Sequence, residues 1–389
     1  MPLRSLVWSA ALVVGIGAGV GIAAARQPES ETTPTIPMAP HVANPRLDPG
    51  TPLNTVAPGF TLTDQFGRKV SLNALRGKVV VLSFNDPKCT TICPLTTTAM
   101  LEAKKLLGPA AADVQLLGVG ANPEATQVKW VRAYSQVHGM LHKWLFLTSS
   151  LPRLTRVWKS YGIAAQVVQG MIDHTPATYV IDPRGRETRL FISEMSYSSV
   201  PQLAVVLARG IAAALPGHPR VRDTVSLAAI PPLGPRKVVS LPRAGGGTVQ
   251  LGPGNDPQLL LFFNTWEREI SDLPADLEHL DRYAAINTEM IPPGAEVPPL
   301  VAIDEADVEA SPSSLPTFLH GLPHSLGYPV GIDRTGRVAD GYGVQDSPWL
   351  TLVSSSGKIL WSYDVAVNGW PRAAWLVSRV HAALAQARG

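Results

Sequence analysis

A chain of 389 residues exceeds what one ordinary hydrophobic core organises, so about two domains plus tails are expected. Its 45% apolar content supports globular folding, and 33 basic against 30 acidic residues leave a net charge of +3, too close to balance for an electrostatic footprint on nucleic acid. Cysteine occurs at two positions only, Cys89 and Cys93, four apart.

In chain order, residues 1–26 carry an address. The run Leu6–Ala25 has no charge and, as a helix, would span roughly 30 Å, the thickness of a hydrocarbon core. Gly15, Gly17, Gly19 and Gly21 weaken such a helix, and Ala23–Ala25 suit a signal peptidase, so the segment reads either as a membrane anchor or as a cleaved signal. Both readings send the rest of the chain to the extracytoplasmic face of the cytoplasmic membrane. No cysteine follows the run, which excludes a lipid-modified cysteine anchor. Residues 27–50 are rich in proline, without helical or strand period, and read as a tether. A second break, residues 216–237, is again rich in Pro and Gly, leaving domains at 51–215 and 238–389.

In the first domain the apolar run Val79–Phe84 predicts a strand buried on both faces, and the cysteines follow it at once. Pro94, tolerated in a first helical turn, opens a helix that stops at Gly108. Val114–Gly120 reads as a strand, Pro123–Gly139 and Arg153–Gly162 as helices, Ala177–Ser193 as a hairpin turning at Pro183–Gly185, and Val200–Leu215 as a closing helix. That order is thioredoxin-like. Cys93 then falls at a helix N-terminus, where unpaired N–H groups and the macrodipole favour a thiolate, with Cys89 one turn before it.

Three chemistries fit the pair. A structural disulfide suits an exported protein, but a loop this short removes little entropy from the unfolded chain. A thiol-disulfide exchanger is the second, although exchangers usually space their cysteines by two residues. A copper site is the third, because two thiolates suit Cu(I) and an added imidazole lets the site hold Cu(II). His174, just before the strand Ala177–Ile181, would supply that imidazole from the loop that packs against the cysteine loop in thioredoxin-like folds. The other histidines, His138 among them, read as solvated surface.

Residues 51–215 resemble the Sco/SenC family of copper-binding, thioredoxin-like proteins. The likeness is carried by PGFTLTDQFGRKVSLNALRGKVVVLSF, by Cys89 to Pro94, by Tyr161–Ile163 and by DHTPATYVIDPRGR from Asp173 to Arg186. The resemblance implies copper ligation by Cys89, Cys93 and His174, with the two cysteines also the redox-active pair. It further implies assembly of the binuclear copper centre of cytochrome c oxidase subunit II, or service to another cuproprotein client, with a thiol-disulfide reductant as second partner. The alternative is a membrane-tethered thiol-disulfide oxidoreductase independent of copper. Thr90 and Thr91 replace the Pro and Asp common within the motif, Asn122 precedes Pro123 where Asp-Pro is common, and Pro176 falls where thioredoxins carry a cis-proline. Asp173 is the candidate to orient the His174 ring through its second nitrogen.

The second domain resembles TlpA-like thioredoxins at QLLLFFNTWEREI, but Glu267 and Ile270 occupy the cysteine positions. Pro176 and Pro348, Ile181 and Val353, and Gly185 and Gly357 are each 172 apart, which reads as an internal repeat with Ser347-Pro348 as its cis bond and Asp346 in the histidine position. The expected fold is therefore α/β, with two tandem thioredoxin-like domains behind an N-terminal anchor or signal. The second domain lacks all three ligands and reads as a structural or interaction module. The acids Glu267 and Glu269 around Arg268 are expected to be solvated.

Overall fold

Two apolar strands, one from each half of the chain, sit at the centres of two sheets. The computed structural model describes residues 47–388 apart from 90–91, 169–170, 193–199, 223, 229–237, 270, 286–296 and 345–346. The first half runs β1 (Thr51–Val56), β2 (Thr61–Thr63), β3 (Lys69–Ser71), β4 (Val79–Asn85), α1 (Ile92–Leu106), β5 (Val114–Gly120), α2 (Val128–Val137), β6 (Leu145–Leu147) and α3 (Leu151–Ser160). A hairpin follows, β7 (Ala165–Val168) with β8 (Met171–His174), and then β9 (Ala177–Ile181), β10 (Arg186–Ile192) and α4 (Val200–Ala214).

The first sheet has the order β1-β10-β9-β4-β5-β6, parallel from β4 to β6 and antiparallel through β9, β10 and β1. Every residue of β4 is buried, as a central strand covered on both faces requires. Its side chains alternate between two cores. Val79 and Val81 join residues of α1 and α4, while Val80, Leu82 and Phe84 join Leu154, Val157 and Trp158 of α3. Helix α2 starts at Val128, five residues later than Pro123 suggested, because Asn122 turns the chain with its own side chain, Oδ1 accepting from Glu124 N at 2.7 Å.

The second half runs β11 (Val239–Pro242), β12 (Thr248–Leu251), β13 (Gln258–Phe263), α5 (Leu273–Ala285), β14 (Leu300–Asp304), α6 (Ser314–His320), β15 (Val330–Ile332), α7 (Arg337–Tyr342), β16 (Trp349–Val353), β17 (Ile359–Asp364), α8 (Val365–Asn368) and α9 (Ala373–Arg388). Its sheet has the order β15-β14-β13-β16-β17, with β13, β14 and β15 parallel and β16 and β17 antiparallel. Strand for strand this matches β6-β5-β4-β9-β10 in both order and direction. On one side of it Leu259, Leu261 and Phe263 pack with α5 and α9.

The opposite side is partly closed by the first half of the chain. Leu95 and Ala99 of α1 and Val200 of α4 belong to one core cluster with Leu260, Phe262, Ile303 and Tyr342. Cys93, Met100 and Ala103, on the neighbouring stripe of α1, belong to the core of the first sheet. Helix α1 is thus shared between two cores. A second contact forms at the end of α2, where the His138 ring lies 4.3 Å from Tyr134 and 5.0 Å from Trp266, centroid to centroid. His138 is 8% exposed, not the solvated residue that the sequence suggested, because Trp266 covers it.

Some described residues within the two segments read as linkers pack against the first core. Leu47, within the expected tether, is buried in the first core, and Asp48 accepts a hydrogen bond from Ile192 N at 2.6 Å. Val221 and Leu227 pack against that same core, and the buried Gln202 amide donates to Ser226 O at 2.7 Å and Ala228 O at 2.9 Å. The apolar run Leu6–Ala25 lies outside the described residues. Among the described residues no helix is long and apolar enough to cross a membrane.

Candidate metal and thiol site

The site begins where β4 ends. Asp86 is buried at the strand terminus, and its Oδ1 accepts from Lys88 N at 2.8 Å and Asn122 Nδ2 at 2.7 Å, while its carbonyl accepts from Cys89 N at 3.1 Å. A short polar side chain thereby folds the cysteine loop locally and ties it to the loop after β5. Burial raises the Asp86 carboxyl, and the Lys88 N–H and the Asn122 amide pull it part of the way back.

Cys89 is half-buried and Cys93 fully buried, and no disulfide joins them. Cys93 is the second residue of α1, and its N–H is directed at Cys89 Sγ, 3.4 Å away. The helix start therefore acts on Cys89. For Cys93 the expected macrodipole effect loses to desolvation: burial, then the hydrogen bond to Cys89 and the charge there, push its thiol well above the ordinary range.

His174 comes from the β7–β8 hairpin, where it pairs with Ala165, rather than from a loop. Its Nε2 lies 3.7 Å from Cys93 Sγ and its Nδ1 lies 3.3 Å from Thr175 O. A carbonyl only accepts, so Nδ1 carries the ring proton and Nε2 turns its lone pair toward the sulfur. Burial lowers the His174 pKa against opposing pulls from Thr175 O, Asp86 and Asp173, which favours that neutral form. Asp173 does not orient the ring: its Oδ2 accepts from Gln166 Nε2 at 3.3 Å, across the same hairpin. The orienting group is the Thr175 carbonyl, which leaves no trace in side-chain identity.

The three residues singled out by sequence thus meet at one place, with Cys93 and His174 in contact and Cys89 directly before them. Among the described residues no group of three or more His, Cys, Asp or Glu side chains stands ready-arranged to hold a metal. The donor set nevertheless suits a soft cation: two sulfurs, and an imidazole nitrogen held with its lone pair inward. Sequence reasoning missed Asp86 as the organiser of the loop and missed the hairpin. A signal for the hairpin exists in Val167, Val168 and Ile172 flanking Gly170.

In the second half the corresponding turn has no sulfur. Glu267 is 1% exposed, its Oε1 accepting from Asn264 N at 3.1 Å and from Ser347 Oγ. It is a buried bracing group, contrary to the expectation of a solvated acid, whereas Glu269 lies on the surface beside Arg268 at 3.4 Å. Glu309 holds the same turn by accepting from Thr265 N at 2.5 Å and Thr265 Oγ1 at 2.8 Å. Ile270 and Asp346 lie outside the described residues. Among the described residues Ser347–Pro348 is the one cis peptide, so the bond before Pro176 is trans.

Strand order, cysteine loop and facing histidine define residues 49–205 as a thioredoxin-like domain with a two-sulfur, one-imidazole site. The same residues match the SCO1/SenC family model, and this part of the chain is a Sco/SenC-family domain. The SCO1 protein homolog of Bacillus subtilis is 28% identical over 140 residues, covering 35% of this chain and 72% of that protein. The mitochondrial SCO2 homolog of Bos taurus is 30% identical over 135 residues, covering 32% of this chain and 50% of its own. Among solved structures, the copper-bound ScoI of Arabidopsis thaliana is 23% identical and covers 40% of this chain and 98% of its own, at a TM-score of 0.36.

Proposed function

We propose that this protein binds copper at Cys89, Cys93 and His174 and passes it to a cuproprotein client, in the manner of Sco proteins. The observation that carries the reading is the 3.7 Å approach of His174 Nε2 to Cys93 Sγ, beside the loop that presents Cys89. Two sulfurs and an imidazole suit copper in either of its oxidation states, which supports the choice of metal together with the Sco/SenC match. Copper here is cargo. Loading displaces the thiol protons, and oxidation of the pair to a disulfide would remove both sulfur donors and release the metal, so redox state and loading are coupled. The client we favour is the copper centre of cytochrome c oxidase, the client that the family resemblance implies; the Sco protein BsSco is described as one of the cytochrome c oxidase assembly proteins.

The same sulfurs could instead reduce a client's disulfide without metal. The half-buried imidazole facing Cys93 favours the copper reading, because exchange between sulfurs has no need of it. We further propose that residues 6–25 anchor the chain at the extracytoplasmic face of the membrane. The matching strand order of the two sheets supports reading residues 238–389 as a degenerate thioredoxin-like copy whose task is to brace the first. The test is alkylation of the reduced protein with and without one equivalent of Cu(I). Protection of both thiols is expected, and equal labelling in the two samples contradicts the reading.

A further inference from the structure

Lys88, next in sequence to Cys89, and Lys129 are both exposed and converge on one indole, and what that pair of charges is for does not follow from copper binding. The Lys88 ammonium lies 4.5 Å from the centroid of the Trp130 ring, and that of Lys129 lies 4.8 Å from the same ring. A cation over an indole face is a favourable contact. Both ammoniums are thereby held at the same ring. Among the described residues neither is paired with a carboxylate. The nearest acid of the loop, Asp86, is buried and bonded to Lys88 N and Asn122.

The two sulfurs differ in access. Cys93 is buried on the stripe of α1 that faces the first core, and the adjacent stripe of that helix, Leu95 and Ala99, is closed by the second core. Cys89, half-buried and next in sequence to Lys88, is the sulfur that a partner meets first. We infer that Lys88, Lys129 and Trp130 form a docking surface that selects partners carrying carboxylates beside their own reactive sulfurs. Unneutralised charge next to a reactive atom raises the local concentration of oppositely charged partners and their rate of encounter.

The inference rests on the reading of Cys89 and Cys93 as working thiols, and disulfide exchange is its direct assay. The Cys89 thiolate bonds to one sulfur of the partner's disulfide and the other partner sulfur leaves as a thiolate. Cys93 then attacks the mixed disulfide at Cys89, its proton passing to the departing sulfur. The Cys89–Cys93 bond closes, and two electrons in all have moved to the partner.

The experiment compares three disulfides against the reduced full chain at low salt: oxidised glutathione, which is anionic, cystamine, which is dicationic, and the neutral bis(2-hydroxyethyl) disulfide. The expected result is a preference for the anionic over the cationic reagent of about tenfold. That preference should collapse in the Lys88→Glu/Lys129→Glu variant and in about 1 M salt, where the screening length falls to about 3 Å. The neutral rate should not change. The same ratio in variant and parent, with a normal neutral rate, would overturn the docking surface and leave copper binding untouched. No reaction even with the neutral reagent would remove the working thiols and the docking surface together. Loss of copper binding with the charge preference intact would overturn the copper reading alone.

Discussion

Cys93 and Leu95, two positions apart on helix α1, lie in different hydrophobic cores: Cys93 beneath the first sheet, Leu95 against the second. The helix that presents the buried sulfur is therefore held from two sides, and the half of the chain without cysteines supplies one of them. Leu95→Ala should cost about 2–5 kcal/mol, the usual range for emptying a packed leucine site. In denaturant unfolding followed by circular dichroism, both halves should weaken in a single transition. A change below about 0.5 kcal/mol would show that the two cores are independent.

Asp86 is predicted to act by position. Asp86→Asn keeps an acceptor for Lys88 N and Asn122 Nδ2, whereas Asp86→Ala strands the buried Asn122 amide at a cost of about 1–3 kcal/mol. Thermal unfolding and the alkylation rate of Cys89 should both change in the alanine variant and change little in the asparagine one. Equal behaviour of the two variants would assign the effect to charge.

Copper affinity should rise with pH. Burial holds the Cys93 thiol protonated at neutral pH, while the metal takes the thiolate, so each displaced proton makes the apparent affinity climb up to about tenfold per pH unit until Cys93 ionises unaided. Competition with a Cu(I) chelator over the neutral to alkaline range reads the slope. A flat profile would mean that Cys93 is not a ligand.

His138 predicts an acid-sensitive contact between the two halves. Burial lowers its pKa from 6.5 to about 3, so between these values the unfolded chain binds a proton that the folded chain refuses. The contribution is complete above about pH 6.5, and stability falls by up to about 1.4 kcal/mol for each pH unit as the pH drops toward about 3. His138→Phe, which keeps a ring between Tyr134 and Trp266, should lose less stability on acidification than the parent. Parallel pH profiles for the two would contradict this.

Much of the site was legible because its chemistry resides in residue type. Two cysteines after an apolar run, and a histidine before the next one, are visible in any sequence, and Val79–Phe84 could only be a buried strand. What escaped depends on the backbone or on tertiary contact. The Thr175 carbonyl that sets the His174 tautomer has no side-chain signature. The burial that outweighs the helix dipole at Cys93 comes from residues distant in sequence. Glu267 and His138, both polar, read as surface, and each is covered by a contact that no local pattern announces: Ser347 bonds the first and Trp266 covers the second.

The measurement closest to the central claim is copper stoichiometry on the reduced full chain under anaerobic conditions, beside the His174→Ala variant. The account predicts one tightly bound copper per chain in the parent and weakened binding in the variant, with both thiols still titratable. Copper held equally well without His174, or not held by the reduced parent at all, would contradict it.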